Sequence, residues 1–378
     1  MTIVFLIISC SILIIFALTT PLCNVFFRKV SNTKSSDEET TLPKVSVLLT
    51  AFGHSEQLAE HLSAFLSQYY PSGYEVIVVA EKGDTETDDV LKRYAHHPHL
   101  YITFIPDSSR YMSRKKLSIT LGVKAAKHEW IILTDPSLVP ESDTWLSTMA
   151  ANFTKKNNLV MGYTQYDHDT PAYYHFEHFH TAYYLMRKAQ KGTAFRTNMP
   201  LLAFRKSEFL ENNGFQGNLK YIRGEYDFLV NKYAKRDSTA METALHARLT
   251  ETCPSIKTWR NKQIYYQETK KHLKRSFMPK FLFFFDQIMM YLNYVAIILA
   301  IVYASFTQEW ILLATAIIAL IITITLRTII ARKALLRFGQ NIASWKIIPY
   351  ELRLAWTYLL AKIRYRKADK NDFISHKL

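Results

Sequence analysis

Three stretches almost free of charge decide what this chain can fold into. Met1 to Phe27 carries no charged residue, and Ile3 to Leu18 is almost wholly aliphatic. Gln287 to Gln308 is uncharged between Asp286 and Glu309, and Trp310 to Leu326 is uncharged up to Arg327. A helix needs about 17 to 25 apolar residues to cross a bilayer. Each stretch therefore predicts a membrane-spanning helix; the alternative for the last two is a buried core hairpin. The first stretch lacks a basic start and a small-residue cleavage site, and Arg28 and Lys29 follow it directly. That pattern reads as an uncleaved anchor rather than a signal peptide.

Basic residues give the expected orientation. Arg28 and Lys29 follow the first span, Lys270, Lys271, Lys274, Arg275 and Lys280 precede the second, and Arg327, Arg332 and Lys333 follow the third. The loop Thr307, Gln308, Glu309 has no basic residue. The positive-inside rule then places residues 28 to 280 and the C-terminal tail in the cytoplasm of an inner-membrane, multi-pass protein. The expected organisation is an anchor at 1–27, a linker at 28–43, a cytoplasmic domain at 44–280, two transmembrane helices at 281–330 and a basic amphipathic tail at 331–378. In that tail Leu352, Ala355, Trp356, Leu359 and Ile363 recur at helical spacing among basic residues. Such a helix suits the membrane interface, although a soluble amphipathic helix reads the same way. The net charge of +15 hugs the spans, which favours anionic lipid over nucleic acid as the partner. Three cysteines offer no disulfide framework and no zinc spacing.

Between the spans, short apolar runs alternate with helical patterns. Val45 to Leu49, Val76 to Val79, Tyr101 to Phe104 and Trp130 to Leu133 read as strands, and helices with apolar faces lie between them. Four such alternations in about ninety residues predict an α/β domain with a parallel-centred sheet covered by helices. The run Trp130 to Thr134 stops at Asp135 and Pro136. In open α/β sheets ligands bind at the carboxyl ends of strands, so Asp135 stands where a ligand-binding group belongs. Opening a turn with Pro136 in second place would explain the same residue without a ligand.

The order of motifs is more specific. "VSVLLTAFGHSEQL", "EVIVVAEKGDTETDDVL", "SRKKLSITLGVKAA", "WIILTDPSLVPESDTWL" and "LKYIRGEYDFLVNKYA" together resemble a membrane-anchored bacterial family 2 glycosyltransferase with the GT-A fold, over about residues 44 to 275. The resemblance implies transfer of a sugar from a nucleotide-diphosphate donor to a hydroxyl of a lipid-linked or saccharide acceptor. It also implies inversion at the sugar carbon, help from Mg²⁺ or Mn²⁺, and a role in cell-surface polysaccharide or glycolipid synthesis.

Site roles carry over by position. Asp135 matches the first acid of the family's Asp-x-Asp metal motif, and Ser137 stands in place of the second. Magnesium commonly uses only one or two carboxylates plus phosphates and waters, so Asp135 with Ser137 is the expected metal pair. Ala51, Phe52 and Glu56 fit the loop that cradles base and ribose, with Gly53 and His54 departing from the pattern. Glu81, with Asp84 behind it, is the acid expected at the nucleobase, and Lys115 is the cation expected at the pyrophosphate. Asp227 is the expected catalytic base and Glu225 the second choice, with Tyr226 interrupting the acidic run. Trp259, Gln263 and Lys271 are expected on the acceptor or diphosphate side, in an order unlike the Gln-x-x-Arg-Trp of processive synthases. The aromatic stripe Tyr173, Phe176, Phe179, Tyr183, Tyr184 reads as packing. Ser137, Ala80 and Tyr226 also motivate an alternative, a catalytically weak or inactive relative that acts as a binding partner at the membrane.

Overall fold

The structure is a computed structural model that describes residues 3–31, 42–105 and 113–375; most of the expected linker lies outside the described residues. The chain divides into two compact units. One comprises Met1–Lys29, Ala172–Tyr184 and Ser276–Leu359, and the other Val30–Pro171, Leu185–Arg275 and Leu360–Leu378.

In the α/β unit, strand β1 (Val45–Thr50) leads to helix α1 (Ser55–Leu66), β2 (Tyr74–Glu81) to α2 (Thr85–Lys92), and β3 (Leu100–Ile105) to α3 (Arg114–Ala125). Then come β4 (Trp130–Thr134), β5 (Leu138–Pro140), α4 (Trp145–Ala150), β6 (Leu159–Gly162) and β7 (Thr164–Tyr166). After the long helix Ala172–Gln190 follow β8 (Leu201–Arg205), α5 (Lys206–Glu211), α6 (Glu225–Tyr233), β9 (Thr239–Glu242), β10 (Leu249–Glu251) and α7 (Ile256–Thr269). Among the described residues the main sheet has seven strands in the order β3, β2, β1, β4, β8, β6, β9, and a small sheet joins β5, β10 and β7.

β1 pairs parallel with β2 and with β4, while β8 runs antiparallel to β4 and β6, so the sheet is parallel at its centre and mixed beyond. All six residues of β1 and all five of β4 are buried, as expected for strands covered on both faces, which is why they read as continuous apolar runs. Helix α3 lies tight against β1. A Cβ on Gly122 would fall 2.2 Å from Leu48 Cδ1, so the helix can approach this closely only with glycine there.

The other unit holds three helices long and apolar enough to cross a membrane: Ile3–Cys23, Phe277–Thr307 and Trp310–Arg337. The latter two overrun the uncharged windows of the sequence at Asp286 and Arg327, two charges that pair with each other inside the unit. Fully buried Arg327 donates from Nη2 to Asp286 Oδ1 at 3.0 Å and from Nε to Glu351 Oε2 at 2.7 Å. Asn24 Nδ2 donates to the other Glu351 oxygen at 2.6 Å. The aromatic stripe packs in this unit, with Phe26 stacked on Phe179 at 5.5 Å and edge-on to Tyr183 at 5.2 Å.

These contacts explain two differences from the expected domain bounds. Ala172–Tyr184, expected within the cytoplasmic domain, belongs with the apolar helices because its aromatic face buries Phe26. Leu360–Leu378, expected in the tail, belongs with the α/β unit, where Ile374 bridges to Tyr221.

Removing one member of a buried ion pair strands the other and costs about 3–5 kcal/mol. Arg327→Met should therefore unfold in detergent at markedly lower temperature than the wild type, whereas Arg332→Met, at an exposed position, should not. Equal melting of the two variants would refute this account of the buried network.

Candidate active site

The carboxyl ends of β1, β2 and β4 lie along one edge of the sheet, fixed by the register of Thr50 with Val79 and Leu49 with Thr134. Glu81 closes β2, Ala51 follows β1, and Asp135 follows β4. Asp135 turns the chain: its carbonyl accepts from Leu138 N–H at 3.0 Å, with Pro136 at the second position. The His61 ring donates from Nδ1 to the Pro136 carbonyl at 2.8 Å and pins the turn. The turn and the ligand-facing readings of Asp135 are thus one geometry, since the turn is what leaves the carboxylate at the strand end.

Helix α3 opens with three consecutive bases, and each meets a different acid. Arg114 pairs with Glu81. Lys115 Nζ lies 2.5 Å from Asp135 Oδ1, with both side chains largely buried. Lys116 is fully buried, 3.8 Å from Glu225 Oε1, and also donates to the carbonyls of Tyr221 and Arg223. Successive residues of a helix point about 100° apart, so one turn distributes its charges over three elements.

These pairs set the protonation states. Burial would raise the Asp135 carboxyl, but the Lys115 ammonium and its hydrogen bond, together with His54 and the Tyr226 hydroxyl, outweigh it and hold the group below the usual carboxylate range. Asp135 is therefore an anion at neutral pH. Burial pushes Lys116 down to about 8, opposed by Glu225. Burial also lowers the His54 imidazole against the pull of Asp135, and Lys115 and Arg223 lower it further. His54 is thus coupled electrostatically to Asp135, and Arg223 to His54.

The acidic motif starts α6. Gly224 precedes it with φ +91°, and a Cβ there would sit 2.6 Å from Thr269 Cγ2, so no other residue turns the chain here without strain. From this start three adjacent side chains diverge. Glu225 goes to Lys116, and Tyr226 donates from its hydroxyl to Asp135 Oδ2 at 3.2 Å. Asp227 Oδ1 accepts from Thr197 N–H at 3.1 Å and lies 3.8 Å from Arg196 Nε. The Arg196 guanidinium in turn sits 3.6 Å over the Tyr266 ring.

The structure thus links Glu81, Lys115, Asp135 and Glu225 through α3 and Tyr226, while Asp227, next in sequence, turns instead to Thr197 and Arg196. Ala51 is buried at the end of β1, whereas Phe52 and Glu56 are exposed beside it. Ser137 is half-buried in the turn, and its carbonyl accepts from Thr252 N–H at 3.1 Å. Asp84 caps α2, accepting from Thr87 N–H at 3.1 Å, so it serves the helix. Trp259 is buried and Gln263 half-buried on α7. Lys271 joins Glu268 and Tyr365, with His272 on the same Glu268, and no described contact links it to Asp135. His54 and Tyr226, which in the sequence only depart from the motifs, and Arg196 and Arg223, to which the motifs give no role, are the further side chains around these acids. Tyr226 had a signal: a phenol between two acids, two residues after a glycine, is a hydrogen-bond donor as much as an interruption.

Among the described residues no group of three or more His, Cys, Asp or Glu is gathered to hold a metal ion. Asp135 does supply an ionised carboxylate and Ser137 a hydroxyl one residue beyond Pro136, hard oxygen donors that fit a divalent ion bound mainly by substrate phosphates.

The mixed, parallel-centred sheet is the fold of the GT-A class, and by its family match this chain is a glycosyltransferase. More particularly, it belongs to glycosyl transferase family 21, whose profile matches residues 7–366. The match thus gives the family as 21, while the GT-A resemblance in the sequence stands. Among solved structures the chain is similar to the mannosyltransferase PcManGT from Pyrobaculum calidifontis, determined with GDP-Man and Mn²⁺. The two share 18% identity and a TM-score of 0.53, covering 97% of this chain and 99% of that one. At that identity the likeness shows the fold. S. aureus TarS 1–349 in complex with UDP-GlcNAc aligns at 12% identity and a TM-score of 0.45, over 86% of this chain and 92% of that one. No curated protein matches the chain.

Proposed function

We propose that the protein is a membrane-bound, inverting glycosyltransferase of cell-surface polysaccharide or glycolipid synthesis. It takes a nucleotide-diphosphate sugar to a lipid-linked or saccharide acceptor, with the α/β unit on the cytoplasmic side of the inner membrane. The observation that carries this reading is the linked pair of arrangements at α3 and α6. Lys115 beside Asp135 offers an ammonium for a diphosphate at the strand ends, and Asp227, oriented by Thr197 N–H and Arg196, offers a carboxylate for an acceptor proton.

In the transfer, the acceptor hydroxyl oxygen attacks the sugar's anomeric carbon while Asp227 accepts its proton. The bond from that carbon to the diphosphate oxygen breaks, and the nucleoside diphosphate leaves with the electron pair. Attack opposite the leaving group inverts the carbon. A positioned base of this kind contributes about 10² to 10⁴ in rate. Lys115 stabilises the charge that grows on the departing diphosphate, acting as a point charge on phosphate oxygens. Asp135 and Ser137 would hold Mg²⁺ or Mn²⁺, whose chemistry is to neutralise that same charge. PcManGT is described with GDP-Man and Mn²⁺, which favours testing GDP-sugars first.

Two measurements test the assignment. Asp227→Asn should keep donor binding nearly intact and lower transfer by about 10² or more. Asp135→Asn should raise the Mn²⁺ concentration needed for donor binding, and Ser137→Asp should lower it, in calorimetry of GDP-sugar or UDP-sugar binding. Unchanged metal dependence in both variants would remove the metal pair and raise the reading of an inactive, binding-only relative, which absence of transfer by the wild type would support; unimpaired transfer by Asp227→Asn would remove the base.

The proposed orientation has its own check. In a variant whose native cysteines have been replaced, Gln308→Cys should react with an impermeant thiol reagent on intact cells, and Thr40→Cys should not. The reverse pattern would contradict the topology.

A further inference from the structure

The loop that feeds the acidic helix α6 is held from two sides. On one side is α3. Ser113 donates its N–H to the Leu219 carbonyl at 3.2 Å and its hydroxyl to the Ile222 carbonyl at 3.0 Å, and Lys116 donates to the carbonyls of Tyr221 and Arg223.

On the other side is the end of the described chain. Ile222 N–H donates to the Phe373 carbonyl at 3.0 Å, Ser375 N–H donates to the Lys220 carbonyl at 2.7 Å, and Tyr221 forms an antiparallel bridge with Ile374. This C-terminal piece is itself anchored. Asp369 caps its turn, accepting from Asn371 N–H at 2.9 Å, and Lys370 donates to the Tyr365 carbonyl at 2.6 Å while lying 3.6 Å over that ring. Phe373 is buried between the rings of Tyr265 at 5.4 Å and Tyr365 at 5.2 Å.

The consequence is mechanical. Ile222 gives its N–H to the C-terminal segment and its carbonyl to Ser113, so its peptide planes are fixed on both faces. Two residues later Gly224 turns the chain in a conformation that only glycine adopts freely, and Tyr226 and Asp227 follow at once. A shift of the loop therefore moves the carboxylate of Asp227 and the hydroxyl that holds Asp135. Misplacing a reacting group by about 1 Å can cost on the order of 10²-fold in rate.

We propose that residues 369–375 form a positioning strap for sugar transfer, a role for the C-terminus that acts through Phe373 and the loop 219–223 on Tyr226 and Asp227. The strap rests on the assignment of Asp227 as base. It touches neither donor nor acceptor, so its loss acts on turnover more than on donor affinity.

The test uses the full-length protein and its variants Phe373→Ala and Phe373→Tyr, together with a chain ended after Ala368. In Phe373→Ala and the shortened chain, hydrogen exchange over residues 219–227 should speed up while exchange of β4 stays slow. Turnover should fall by about tenfold or more with the donor KM changed less than about twofold. Phe373→Tyr should restore both, because the ring still fills the place between Tyr265 and Tyr365. Turnover within about twofold of wild type in both damaged variants, while Asp227→Asn remains inactive, would overturn the strap. A loss of turnover that only follows the folded fraction, with residues 219–227 still protected, would overturn it too. Full transfer by Asp227→Asn would instead overturn the base assignment, and the exchange data separate that failure from failure of the strap.

Discussion

Lys115, Lys116 and Arg114 occupy one turn of one helix, and the acids they meet come from three separate elements. Asp135 ends a strand in the middle of the sheet, Glu81 ends its neighbour but one, and Glu225 starts a helix far along the chain. A buried ammonium such as Lys116 is tolerated only if it is paired and hydrogen-bonded, because desolvation of an isolated charge costs several kcal/mol. Its partners are one carboxylate and two backbone carbonyls of the loop before that helix. The cost of leaving Lys116 unpaired thus holds the loop and α6 against α3. Tyr226 and Asp227 are placed as a result.

The same rule orders the other unit. Arg327, Asp286, Glu351 and Asn24 form a connected set of charge-assisted contacts among largely apolar helices. In both units a few buried ions choose the register of elements that hydrophobic burial alone would leave free to slide.

Much of this was legible in the sequence. The three long apolar helices follow from uncharged runs, and the central sheet follows from apolar runs closed by turn residues, because strands buried on both faces have no polar positions to break the pattern. Asp135 stands out in the sequence because it directly follows such a run, and the structure finds it turning the chain at the strand end beside Lys115. What stayed hidden depends on contacts between distant segments. Three adjacent bases look like a solvated helix start until Glu81, Asp135 and Glu225 are seen around them. His54 and Tyr226 departed from the resembling motifs, yet they act on Asp135, one through its field and the other through a hydrogen bond. Lys271 had a plausible charge and spacing for the diphosphate, but Glu268 at the end of α7 and Tyr365 on the helix Ser344–Lys367 engage it, a pairing no local pattern announces.

In the proposed reaction α3 and α6 together make the transfer site, with the diphosphate at Lys115 and the acceptor at Asp227. A structure of the full chain with a bound nucleotide-diphosphate sugar is the most direct measurement. The account predicts diphosphate oxygens about 2.7–3.2 Å from Lys115 Nζ and beside Asp135, and the Asp227 carboxylate on the opposite side of the anomeric carbon. A diphosphate bound elsewhere, with the Lys115 to Asp135 pair undisturbed, would contradict it.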